Sequence, residues 1–160
     1  MLLKILIAGD GGQGIQIMAD VISQAAFAKD LFVSYVPNYG LEQRGGASLA
    51  FIQISDRDVA YPKFSSPDIL VIMSDESRVR VAGYGHKGVK VIDIKDFLQI
   101  LDANEISPTS YNVFFLGVLT KVLEDNQIKL GDDIFAALEN KLSKKPNWEE
   151  NKRVYLIGNK

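Results

Sequence analysis

With 160 residues, 47% of them hydrophobic and 24% charged, the chain is sized for one domain with a proper core. Its formal net charge of −2 gives no sign of a broad electrostatic grip on nucleic acid or an anionic membrane, and leaves room for local basic patches. It holds no cysteine and a single histidine, His86, which excludes disulfides, thiolate-held iron–sulfur clusters, cysteine zinc sites and any chemistry needing two imidazoles.

Leu3 to Ala8 is a short apolar run, the pattern of a buried strand, and it breaks into Gly9-Asp10-Gly11-Gly12-Gln13-Gly14. No signal peptide precedes it and no stretch approaches the ~20 apolar residues that span a bilayer, so a cytoplasmic protein is expected. A helix follows from about Gly12 to Ala28, with Ile15, Met18, Ala19, Ile22, Ala25 and Ala26 on one stripe. Leu31 to Val36 reads as the second strand. Strand, glycine turn, helix and strand in succession predict a βαβ unit with a parallel pair and right-handed crossover. Pro37 is expected to stop that strand.

A polar loop runs from Pro37 to Gly46, and Ala47 to Ile54 follows as a largely covered strand. Val59 to Tyr61 predicts a short antiparallel return. Ile69 to Met73 is apolar on both faces, as a central parallel strand would be. Ser74 is placed to cap a short helix through Val81, with Glu76 supporting its first turn. A glycine-rich loop around His86, a strand at Val89 to Ile94 and a short helix at Lys95 to Leu101 come next. Apolar residues wrap most of a helix from about Tyr111 to Glu124, where Gly117 permits close backbone approach. Amphipathic helices are expected at Asp132 to Lys144 and at Trp148 to Ile157. The whole predicts one domain over residues 1–160: an α/β, Rossmann-like three-layer fold with a mostly parallel sheet and a glycine-rich first βα turn.

Gly9, Gly11 and Gly14 fit the G-x-G-x-x-G spacing that lets backbone approach an anion at a helix N-terminus. The same spacing also serves a tight turn with nothing bound. A dinucleotide site would want an acid at the end of the second strand, where Tyr35-Val36-Pro37-Asn38 has none. The Gln13 amide could read a ligand or a partner. Arg44, beside Gly45 and Gly46, offers forked donors for phosphate or carboxylate, or a salt bridge to Glu42 or Asp10. Asn112 could bond backbone or face a cleft. His86 reads as a surface residue, Asp68 as a turn former, and Asp56 and Asp58 as turn chemistry.

With both glycine segments in view, the chain resembles the gamma subunits of 2-oxoacid:ferredoxin (or other acceptor) oxidoreductases. Gly9-Asp10-Gly11-Gly12-Gln13-Gly14 is similar to that family's G-x-G-G-Q-G signature, and Tyr39-Gly40-Leu41-Glu42-Gln43-Arg44-Gly45-Gly46 to its Y-G-P-E-x-R-G-G loop. Ile54-Ser55-Asp56, Pro67 to Val71, Asn112 and Leu116-Gly117 follow in the expected order. Leu41 stands where the family often has proline, and the chain is short for the family.

The resemblance implies a subunit of an enzyme that decarboxylates a 2-oxoacid oxidatively with coenzyme A, pyruvate or 2-oxoglutarate being first in line. Gly9, Gly11, Gly12, Gln13, Gly14, Glu42, Arg44, Gly45, Gly46 and Asn112 are its implied cofactor-binding residues, with no catalytic or metal residue in this chain. Thiamine diphosphate and iron–sulfur clusters would be held by alpha, beta and delta-type partner subunits, with ferredoxin as electron acceptor and neither nucleic acid nor membrane as partner. A beta-type subunit of an indolepyruvate oxidoreductase and a stand-alone nucleotide-binding module are the alternatives.

Overall fold

The computed structural model describes residues 1–39 and 46–160. Five strands, β1 (Leu2–Asp10), β2 (Phe32–Tyr39), β3 (Ala47–Ser55), β4 (Ile69–Ile72) and β5 (Lys90–Asp93), form one sheet in the order β2-β3-β1-β4-β5. Among the described residues six α-helices accompany them: α1 (Ile15–Ala28), α2 (Asp75–Arg80), α3 (Leu98–Ala103), α4 (Tyr111–Asp125), α5 (Gly131–Leu142) and α6 (Trp148–Gly158). The fold is α/β and Rossmann-like. Among the described residues no helix is long and apolar enough to cross a membrane.

The sheet is parallel on one side only. β1 pairs in parallel with β4, and β4 with β5, whereas β3 runs antiparallel to both β1 and β2. β1 and β2 are therefore separated by β3, which corrects the expected parallel pair and the mostly parallel sheet. The cause is burial. Every residue of β3 is buried, so this strand needs neighbours on both edges, while β2 has mostly half-exposed residues that suit an edge. Pro37 does not end β2, which continues to Tyr39. An edge strand tolerates the missing N–H of proline, because half of its backbone groups face no partner strand. Residues 59–61 form no strand.

The two faces of the sheet are covered unequally. Leu3, Ile5 and Ile7 of β1 point to a thick core shared with α1, α4, α5 and α6. Leu6 and Ala8 point the other way, to a small cluster closed by Val81 and by the partly buried Phe64, Tyr84 and Val89. In the thick layer α4 and α6 nearly touch backbones. A Cβ on Gly117 would collide with Tyr155 O and sit 3.0 Å from Asn159 N, and one on Gly158 would sit 3.1 Å from Val118 N. The Tyr155 hydroxyl donates to Thr120 Oγ1 at 3.1 Å, and Thr120 donates onward to Leu116 O at 2.8 Å, so these two hydroxyls are paired, whereas the buried Asn159 Oδ1 beyond α6 has no partner among the described residues.

Candidate functional site

The parallel strands β1, β4 and β5 end together at Asp10, Ile72 and Asp93. Crevices at such carboxyl ends are where open α/β sheets receive ligands. The glycine turn leaves β1 at this edge. Gly12 and Gly14 have φ of 90° and 77°, a left-handed region that other residues enter at a cost. Gln13 N donates to Asp10 O at 3.1 Å and closes the turn, and Gly14 O receives the first helical bonds from Ile17 N and Met18 N.

The glycines differ in what they make room for. A Cβ on Gly9 would lie 2.6 Å from Gln13 Oε1, so the absent side chain lets Gln13 fold back over the strand end. There its Oε1 accepts from Asp10 N at 2.7 Å and its Nε2 donates to Met73 O at 3.2 Å. Gln13 thus brackets β1 to the end of β4, and both ends of its amide are engaged within the chain. A Cβ on Gly14 would lie 2.8 Å from Asn112 Cγ, so this glycine seats the Asn112 amide. Asn112 is only 9% exposed, and its amide makes no hydrogen bond to a described residue. Gly12 is exposed, and a Cβ there would meet nothing within 4 Å.

Gln16, one turn along α1, anchors the opposite side. Its Nε2 donates to Ser48 Oγ at 2.9 Å and to Leu49 O at 3.2 Å, and its Oε1 accepts from the Tyr35 hydroxyl. The start of α1 is thereby fixed to β1, β3, β4 and, through Tyr35, to β2. Gly14 caps α1 without a side chain, and the first turn of the helix holds no acidic residue. Its positive end carries no carboxylate from its own first turn.

The second glycine segment meets the first. Gly11 N donates to Gly46 O at 3.2 Å. Glu42, Arg44 and Gly45 lie outside the described residues, as do the salt bridges considered for Arg44. Among the described residues, Asp10 Oδ1 accepts from Ser74 Oγ at 2.6 Å. Ser74 caps α2 as expected, accepting from Ser77 N at 3.0 Å, with the Ser77 hydroxyl lying 3.2 Å from Ser74 N as its acceptor.

Two site-edge residues escaped the sequence reading. Arg78 grips Asp93 with both prongs, Nε to Oδ2 at 2.7 Å and Nη2 to Oδ1 at 2.6 Å, and also pairs with Asp75. These bonds hold the Asp93 carboxyl below its usual range against the opposing effect of burial. No local pattern joins residues 78 and 93, which meet only because β4 and β5 are neighbours. His86 is exposed, with Nε2 at 2.9 Å from Pro67 O, and Asp68 accepts from Lys4 N at 2.8 Å. No cluster of metal-ligating side chains occurs among the described residues.

The sequence matches the pyruvate ferredoxin/flavodoxin oxidoreductase family over residues 4–159. It is 48% identical over 75 residues to the 2-oxoglutarate synthase subunit KorC of Methanothermobacter marburgensis, a match covering 46% of this chain and 40% of that protein. The chain therefore spans less than half the length of that relative. In fold it resembles the keto/oxoacid ferredoxin oxidoreductase gamma subunit of Geobacter sulfurreducens PCA, with a TM-score of 0.81, 18% identity, and coverage of 99% of this chain and 95% of that one. It also resembles one part of a 2-oxoglutarate:ferredoxin oxidoreductase from Magnetococcus marinus, solved with 2-oxoglutarate, coenzyme A and succinyl-CoA bound. There the TM-score is 0.81 at 20% identity, over 98% of this chain and 30% of that one.

Proposed function

The chain belongs to the pyruvate ferredoxin/flavodoxin oxidoreductase family, and from that premise we propose that it is the gamma-type subunit of a cytoplasmic 2-oxoacid:ferredoxin oxidoreductase. Such an assembly converts a 2-oxoacid and coenzyme A to acyl-CoA and carbon dioxide and passes electrons to ferredoxin. The supporting observation is the meeting of the two glycine segments, Gly11 N on Gly46 O, at the carboxyl ends of the parallel strands. The KorC match makes 2-oxoglutarate the first substrate to assay, ahead of pyruvate.

The residues present fit an anionic ligand such as the phosphates of coenzyme A. Gly12 leaves backbone open to approach, and α1 begins without a side-chain cap and with no acid in its first turn. Asn112 adds an amide seated beneath Gly14, and Arg44, two residues before Gly46 in sequence, would add a charged fork. Gln13 acts differently: it holds the turn in shape. Thiamine diphosphate, when bound, supplies the stabilised carbanion of decarboxylation. We assign it to the partner subunits on the family resemblance, and the iron–sulfur clusters to alpha, beta and delta-type partners because this sequence offers no thiolate.

The test is reconstitution with those subunits, following ferredoxin reduction that depends on both coenzyme A and a 2-oxoacid. Turnover should require this chain, and Arg44→Ala should raise the KM for coenzyme A about tenfold or more, the worth of a charged hydrogen bond. Unchanged coenzyme A kinetics and assembly would remove Arg44 from the site. Micromolar dinucleotide binding by the isolated chain would instead favour a stand-alone nucleotide module.

A further inference from the structure

The thin face of the sheet carries a feature that the glycine-turn site does not use. Toward the start of β1 its covering gives out, and a groove of about 600 Å³ opens over Leu2, Lys4, Gln53 and Ser55. Residues 56–68, which contain no helix or strand, form its wall. A second depression of about 390 Å³ runs on toward Tyr84 and shares Lys63, Phe64 and Ser65 with the first. Through these shared residues the two join into one open trough.

Its chemistry is biased. Lys4, Arg57 and Lys63 line the groove and Asp58 is the only acid among its described lining residues, on a chain whose formal net charge is −2. Lys4 and Lys63 form no ion pair among the described residues, and Arg57 reaches only Asp56, which the terminal amine already holds at 2.5 Å. Lys63 lies 5.9 Å from the centre of the Phe51 ring. The floor residues Gln53 and Ser55 are 4% and 2% exposed, whereas Leu2 and Tyr61 at the rim are 51% and 81% exposed. Polar floor, apolar rim and unpaired cations suit a covering that is acidic and partly apolar.

We propose that this trough receives an extended acidic segment of a partner subunit. The proposal rests on the subunit reading above. Two open depressions joined through Lys63, Phe64 and Ser65 favour a length of chain over a compact ligand, which prefers an enclosed cleft. Charge complementarity sets the sign of the partner, and Leu2 and Tyr61 supply the apolar contact.

The experiment is assembly of the full chain with its partner subunits, followed by native mass spectrometry and titration, for Arg57→Glu/Lys63→Glu and for Lys63→Arg. The double reversal should weaken assembly about tenfold or more, and the charge-preserving variant should not. Raising salt from about 0.1 M to about 1 M, which shortens the Debye length from about 10 Å to about 3 Å, should weaken the wild type more than the double variant. Equal assembly of the double variant overturns the proposal. So does tripolyphosphate binding to the isolated chain that is lost in the double variant while assembly persists, which makes the trough a small-anion site. Should the wild-type assembly turn over no 2-oxoacid while the double variant still fails to assemble, the docking surface stands and the functional reading falls.

Discussion

Gly9 and Gln13 compete for one volume: a Cβ on Gly9 would stand 2.6 Å from Gln13 Oε1 and from Ile15 Cδ1. The first glycine of the motif is therefore a vacancy that the fifth residue fills. Gly9→Ala should cost about 1–3 kcal/mol of stability, the usual range for overpacking. Gln13→Ala removes half of that clash along with the bonds to Asp10 N and Met73 O. The double variant should thus be more stable than the sum of the single losses implies, and urea denaturation of all four proteins measures the coupling. Strict additivity would show that the two residues do not share the space.

Gly12 tests the outward side of the turn. Its φ of 90° makes Gly12→Ala strained by about 1–2 kcal/mol, yet nothing lies within 4 Å of the new Cβ. In the reconstituted complex the variant should raise the KM for coenzyme A with little change in kcat, as loss of uniform binding does. An unaltered KM would take Gly12 out of the ligand contact.

Gly117→Ala sets two effects against each other. Helix propensity favours alanine by about 1 kcal/mol. Against this, the new Cβ meets the backbone of α6, which cannot rotate away as a flexible side chain can. The clash should win, with a net loss of about 2 kcal/mol or more visible in the urea midpoint. A variant more stable than wild type would mean that α6 shifts freely along α4.

The Arg78–Asp93 pair gives a pH dependence of known sign. Its hydrogen bonds depress the folded-state pKa of Asp93 below an unfolded value of about 3.9. The stability that it contributes is then fully present above about pH 4 and is lost as pH falls through the folded value. Asp93→Asn should be less stable than wild type by about 1–3 kcal/mol at pH 7, because Arg78 loses its charged acceptor. The gap should close on acidification below about pH 4. A gap that persists there would trace the loss to packing.

Several elements were legible because their signals are local. The apolar stripe from Ile15 to Ala26 marks α1, and the apolar wrap from Tyr111 onward marks α4, with boundaries within a few residues of those observed. Ser74 was readable as a cap from its own chemistry. Strand order was not, because a buried strand shows the same apolar run whether its neighbours are parallel or antiparallel. Pro37 misled for a similar reason: its cost depends on whether the strand is at an edge, a tertiary fact. Within the candidate site, the glycines and Asn112 could be picked out, but not the inward turn of Gln13. An amide serves equally well facing out or in, and the space left by Gly9 decides between them.

The lodging of β3 between β1 and β2 has a consequence for synthesis. Both strands that flank β1 are made after it, β3 ending about 45 residues later and β4 later still. At roughly 5–20 residues per second, β1 leaves the ribosome seconds before any partner exists. Through that interval Ile5, Leu6 and Ile7, fully buried in the finished sheet, are open to chaperones and to other nascent chains. Slow codons between Gly11 and Ser55 would lengthen the exposure, and fast ones would shorten it.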